Sequence, residues 1–118
     1  MPGWQPNWSD VRWNAEAAGT VAWLLEQLAG MIEDDAQQRS RLAQQDSADW
    51  YGDHRTHFDQ YLDHAGWRAR TLIAECRTAA MRVRLTSDQV VAEQLQREQE
   101  RRRWQSEHDE EQRQKPVY

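Results

Sequence analysis

Two stretches of this chain repeat apolar side chains at steps of three and four, on either side of one cluster of turn-forming residues. In the first, Ala17, Val21, Leu24, Leu28 and Met31 recur at the period that turns one face of a helix toward a neighbour. The stripe falters at Asp35 and Gln38 and resumes at Leu42. The second is the more regular: Phe58, Leu62, Ala65, Ala69, Leu72, Cys76, Ala79, Val83, Thr86 and Val90. Ile73, Ala80 and Met81 widen it, so the second helix can pack on two neighbours, as in a four-helix bundle. The pattern predicts an all-α fold: an antiparallel helical hairpin with a charged C-terminal helical extension, pairing into a four-helix bundle.

Local signals set the expected boundaries. Residues 1–10 read as an irregular lead, because Pro2, Gly3 and Pro6 interrupt regular structure there. Trp4, Trp8 and Trp13 are expected to fold that lead back on the protein's own helices. Ser9-Asp10 is a capping pair for a first helix, its side-chain oxygens able to accept from the orphan amides of the first turn. The segment from Asp46 to Asp53 is the expected turn, with Gly52 at positive φ and Asp53 capping the next helix. The hairpin then occupies residues 11–90. Thr86-Ser87-Asp88-Gln89 has the form of a capping box and favours a bend there over a helix that runs through. Residues 91–118 form the extension and tail. From Gln94 to Gln114 it is dominated by Gln, Glu and Arg, with opposite charges three and four apart. Besides Trp104 it has almost nothing to bury, which predicts a solvated, partly frayed helix and a loose Lys115–Tyr118.

Composition then points outward. Hydrophobic residues are 38% of the 118 and charged residues 30%, with a mean hydropathy of −1.10. Two helices this polar cannot enclose a core on all sides, and chains with that shortfall complete it by associating. The expected partner-binding residues are Leu24, Leu28, Met31, Leu72, Ile73, Cys76 and Val83. Of these, Leu24, Leu28, Leu72, Cys76 and Val83 are expected to be buried between helices in a chain that is not a stable monomer. A net charge of −5 argues against a nucleic-acid binder. Cys76 is the single cysteine, so no intrachain disulfide exists. No apolar run reaches the roughly 18–20 residues of a membrane span. The N-terminus lacks a basic segment followed by an apolar one, so a Sec-type signal is not expected.

Two amphipathic helices joined through Trp50-Tyr51-Gly52 resemble the WXG family of small type VII secretion proteins, the early secretory antigenic target family. The resemblance covers roughly residues 10 to 90. It implies that Trp50 and Gly52 close the hairpin, and that two hairpins pair as a homo- or heterodimer. It also implies a cytoplasmic protein exported by the type VII route of actinobacteria and some other Gram-positive bacteria, as substrate, co-secreted adaptor or chaperone-like partner of the machinery or a toxin. The family's export signal is an aromatic residue followed four positions later by an acidic one. Here Trp104 is followed at that spacing by His108, between Glu107 and Asp109, which leaves the signal to a dimer partner. The turn also falls later than is typical, and the extension goes beyond the minimal hairpin.

Two other classes remain open. One is an intracellular α-helical assembly subunit that docks through the charged C-terminal helix, with no secretion role. The other is a small metal-dependent helical enzyme. His54, His57 and His64 fall at steps of three and seven on one helix face, with Asp53 four before His57, and a second element could complete a zinc tetrahedron. The spacing matches no compact ligand motif. No serine, nor Cys76, sits in a nucleophile elbow, and there is no Gly-rich phosphate loop. Arg101-Arg102-Arg103 is flanked by Glu98, Glu100 and Glu107 and reads as a solvated face. Catalysis and a cofactor are not expected.

Overall fold

A computed structural model describes residues 3–114 of the chain. Two helices, α1 (Ala15–Asp46) and α2 (Asp53–Gln114), follow an irregular lead and are joined by a short turn. The fold is all-α, and α1 and α2 pack as an antiparallel hairpin. The loose tail expected at Lys115–Tyr118 lies outside the described residues.

The boundaries depart from the sequence reading in two places. Helix α1 begins at Ala15, not just after Ser9-Asp10, and the residue before it is Asn14, a good N-cap type. Ser9 and Asp10 are occupied elsewhere: Arg97 and Arg101 donate to the Ser9 carbonyl, and Gln94 and Arg101 donate to the Asp10 carboxylate. Nor does a new helix start at Thr86-Ser87-Asp88-Gln89, because α2 is helical from Asp53 to Gln114. A capping box acts only where a helix has free amides, and here the ladder simply continues. The Ser87 hydroxyl accepts instead from the Trp13 indole at 3.1 Å.

The turn is built around Ser47, which is almost fully buried. Its amide (3.1 Å) and hydroxyl (2.7 Å) both donate to the Ala43 carbonyl, closing the end of α1. Its own carbonyl accepts from the Trp50 amide at 2.9 Å and from the Arg55 guanidinium, which Asp59 holds from one turn further along. Gly52 has φ of 77°, the positive value expected of it, where an L side chain is strained. Its carbonyl accepts from the Thr56 amide at 3.1 Å, so Gly52 itself is the N-cap of α2. Asp53, expected to cap, is instead the acid in the first turn, where the helix dipole favours it.

The chain divides into two compact units. One is the hairpin, residues 17–84. Its seam is made of small residues: Ala18, Ala22 and Ala29 from α1, and Ile73, Cys76 and Ala80 from α2, all buried. Ala29, Ile73 and Cys76 form a cluster with Ile32 packed against it. Small side chains let two helices approach closely, so a modest apolar area is dry and well packed. Toward the turn the seam thins, and a shallow groove of about 900 Å³ opens beside Ala36, Ser40, Gly66 and Ala69.

The other unit joins the lead, up to Glu16, with α2 from Leu85 onward. The extension is therefore not simply solvated. The Trp8 ring meets Trp104 edge-on at 5.2 Å, and Trp104 stacks on His108 at 4.9 Å. The Trp4 indole donates to Glu107 at 2.8 Å, under the Arg103 guanidinium. The three lead tryptophans all reach α2.

Candidate protein-interaction surface

Helical geometry sorts the hairpin's remaining side chains onto two flanks. Each residue turns about 100° from the last, so positions one before and one after a seam residue point to opposite sides. In an antiparallel pair the one-before positions of both helices share a side, and so do the one-after positions. Glu26 and Glu33 follow the half-buried Leu25 and Ile32; Arg84 and Arg77 follow Val83 and Cys76. All four fall on the one-after side, and they pair across it. Arg84 forks onto Glu26 at 3.0 and 3.1 Å, and Arg77 meets Glu33 at 2.7 Å. The Arg84 hydrogen bond, with its charge, holds the Glu26 carboxyl below the usual carboxylate range. Exposed ion pairs contribute only ~0–1 kcal/mol each. Their main effect is on register, since a slip of one turn separates both at once.

The opposite flank has no such cross-helix pair. Val21, Leu24, Leu28 and Met31 each stand one before a seam residue of α1, and Leu72 stands one before Ile73 of α2. All five are 45–68% exposed. Half-buried Ala79 lies beside them, and exposed Glu75 and Arg82, each one before a seam residue of α2, share this side. Trp23, Trp67 and Met81 are exposed as well, but on the ion-paired side. One flank thus carries cross-helix charge pairs among its apolar groups, while the other presents a run of aliphatic side chains on α1 to water, with Leu72 beside Glu75 and Arg82 on α2. Contiguous apolar surface of this sort marks interaction sites more often than solitary exposed leucines do.

The residues expected to bind a partner therefore separate into two sets. Ile73 and Cys76 are buried and Val83 half-buried in the seam, where α1 of the same chain covers them. Leu24, Leu28, Met31 and Leu72 lie outside the seam, on the aliphatic flank. The sequence reading puts Leu24, Leu28, Leu72, Cys76 and Val83 between helices; within one hairpin the structure buries Cys76, half-buries Val83 and leaves the three leucines exposed. The seam of α1 was missed because Ala18, Ala22 and Ala29 are weak beacons beside Val21, Leu24 and Leu28. Their four- and seven-residue spacing was the signal available.

At the turn, Trp50 packs edge-on against Phe58 at 5.1 Å and keeps about half its surface exposed (48%). Tyr51 is 88% exposed. Ser47 and Arg55, which tie the turn together, were not singled out by sequence, since neither residue type signals a buried hub.

His54, His57 and His64 are all exposed. His64 stacks on Trp67 with ring centres 6.0 Å apart. Among the described residues no three His, Cys, Asp or Glu side chains come together as a metal site. No described helix is long and apolar enough to cross a membrane.

Comparison with protein-family models, with curated proteins and with solved structures finds no match. The functional reading rests on the chain's own residues.

Proposed function

We propose that this chain is a partner-binding hairpin whose aliphatic flank packs on another helical protein to complete a four-helix bundle. The observation that carries this is the asymmetry of the hairpin: ion pairs across one side, and Val21, Leu24, Leu28, Met31 and Leu72 open to water on the other. A seam of alanines leaves the larger aliphatic groups outside, where only a second body can bury them. Each leucine is already about half buried, so covering the remainder is worth roughly half of the ~1.5–3 kcal/mol of full burial, and the five side chains together favour a complex.

We further propose a type VII, WXG-like role, as secreted substrate, co-secreted adaptor or chaperone-like partner. The support is the turn: Trp50 closing on Phe58, and Gly52 at positive φ opening α2. A neighbouring gene for a type VII ATPase, or for a large toxin with a helical N-terminal domain, would tie the hairpin to that system. An assembly subunit without any secretion role would lack both.

The binding claim is tested by Leu24→Glu and Leu28→Glu. Sedimentation of the wild-type chain, alone and co-expressed with the products of adjacent genes, should reveal a complex that either substitution dissolves while helix content stays unchanged. A wild-type chain that stays monomeric at micromolar concentration, binds no neighbour and melts independently of concentration would overturn it.

A further inference from the structure

We infer that α2 between Ser87 and His108 is a peptide-recognition surface, and that it takes a non-helical, acidic, indole-bearing segment of a partner polypeptide in the place now held by the chain's own lead. Four of the hydrogen bonds that seat the lead are directed at its main chain. Arg101 donates to the carbonyls of Asn7 (2.8 Å) and Ser9 (2.6 Å), and Arg97 donates to the Ser9 carbonyl at 3.1 Å. Gln94 accepts from the Val11 amide at 2.8 Å. Main-chain groups are common to every polypeptide, so this set reads backbone conformation, and side-chain contacts supply the choice of sequence.

Two side-chain features define that choice. Asp10 accepts from Gln94 at 2.9 Å and from Arg101 at 2.7 Å, which selects an acidic residue. Trp8, two positions earlier, lies against Trp104, which selects an indole.

The lead is also an incomplete occupant. Trp104 Nε1 and His108 Nδ1 are buried without a hydrogen-bond partner, on rings stacked nearly parallel at 6°. Buried polar atoms are nearly always paired, and an orphan is a place where a better ligand gains. A segment bringing a hydrogen-bond acceptor there, such as a main-chain carbonyl, would accept from the Trp104 indole, a bond that the lead does not make. No helix of its own holds the lead in place: Trp8, Ser9 and Asp10 are exposed, while Trp4 and Val11 are half-buried and Pro6 is buried.

A fluorescent peptide of residues 3–14 is the probe, added to full-length chains. Asp10→Arg sets a third cation against Arg97 and Arg101 and opens the lead without altering α2. The peptide should bind the Asp10→Arg chain at least tenfold more tightly than the wild type, whose own lead competes. Adding Arg101→Ala should weaken that binding at least tenfold, with helix content unchanged. Trp4→Ala with Trp8→Ala opens the lead by a second route and should give the same gain. Failure of the peptide to bind either opened chain, or binding indifferent to Arg101→Ala, overturns the inference. Wild-type dimers that the free peptide dissociates would assign the site to a second copy's lead and overturn the partner segment.

Discussion

Enlarging Ala29 to leucine separates the observed seam from the stripe that the sequence favours. Ala29 is fully buried against Ile73 and Cys76, so Ala29→Leu adds three carbon atoms where two helices touch. The helices must part or the side chain must leave its rotamer, which costs ~1–3 kcal/mol. An unfolding entropy of ~2.1 cal/mol/K per residue gives ~0.25 kcal/mol/K for 118 residues, so Tm should fall by ~4–12 °C. Leu28 is the control, one position away and 45% exposed. In the free chain Leu28→Ala removes a side chain already half in water and should cost less than ~1.5 kcal/mol, under ~6 °C. Both variants are compared by thermal melts at one low protein concentration, so that association does not enter. If Ala29→Leu is silent or stabilising while Leu28→Ala unfolds the chain, then α1 is turned by about 100° from the orientation described. The aliphatic flank would then be the core.

Further outcomes follow from the turn and the lead. Gly52→Ala should cost ~1 kcal/mol by chemical denaturation, purely from backbone strain, because no atom lies within 4 Å of where its Cβ would sit; a neutral result would mean that φ is not positive. Trp104→Ala should destabilise the chain at least as much as Trp50→Ala, by ~2 kcal/mol, about half the cost of deleting a fully buried aromatic. The sequence reading expected the reverse, with Trp104 on a solvated extension; a silent Trp104→Ala in thermal melts would restore it. Asp10 is held below the usual carboxylate range by the Gln94 hydrogen bond and then by Arg101, and Glu107 by the Trp4 indole and then by Arg103. Depressed values mean that these two carboxylates' contribution to the lead's attachment is complete above about pH 4.5 and is lost as pH falls through their lower folded values. Indole resonances of Trp4 and Trp8 that shift toward free tryptophan as pH falls below the ordinary carboxylate range, before helix content is lost, would show this release. Resonances that stay put until α2 melts would refute it.

Much of the architecture was legible in the residues themselves. Steps of three and four in Val21–Met31 and Phe58–Val90 specify helices, because periodicity is a property of the chain alone. Gly52 marked the reversal because only glycine takes positive φ without strain. The face that each helix turns inward was another matter. Hydrophobicity ranks Val21, Leu24 and Leu28 above Ala18, Ala22 and Ala29, yet close approach of two helices rewards small side chains over greasy ones. That preference appears only when a partner helix is in place. Thr86-Ser87-Asp88-Gln89 likewise carries the chemistry of a helix start, but a cap needs free amides, and a continuous ladder offers none. The lead's destination was the least legible of all. Arg97, Arg101 and Gln94 resemble their solvated neighbours in sequence, and they became a binding surface only because Asn7, Ser9 and Val11, more than eighty residues away, bring main-chain groups to meet them. Local periodicity fixed what the elements are; packing between segments distant in sequence decided which of their faces remain open to a partner.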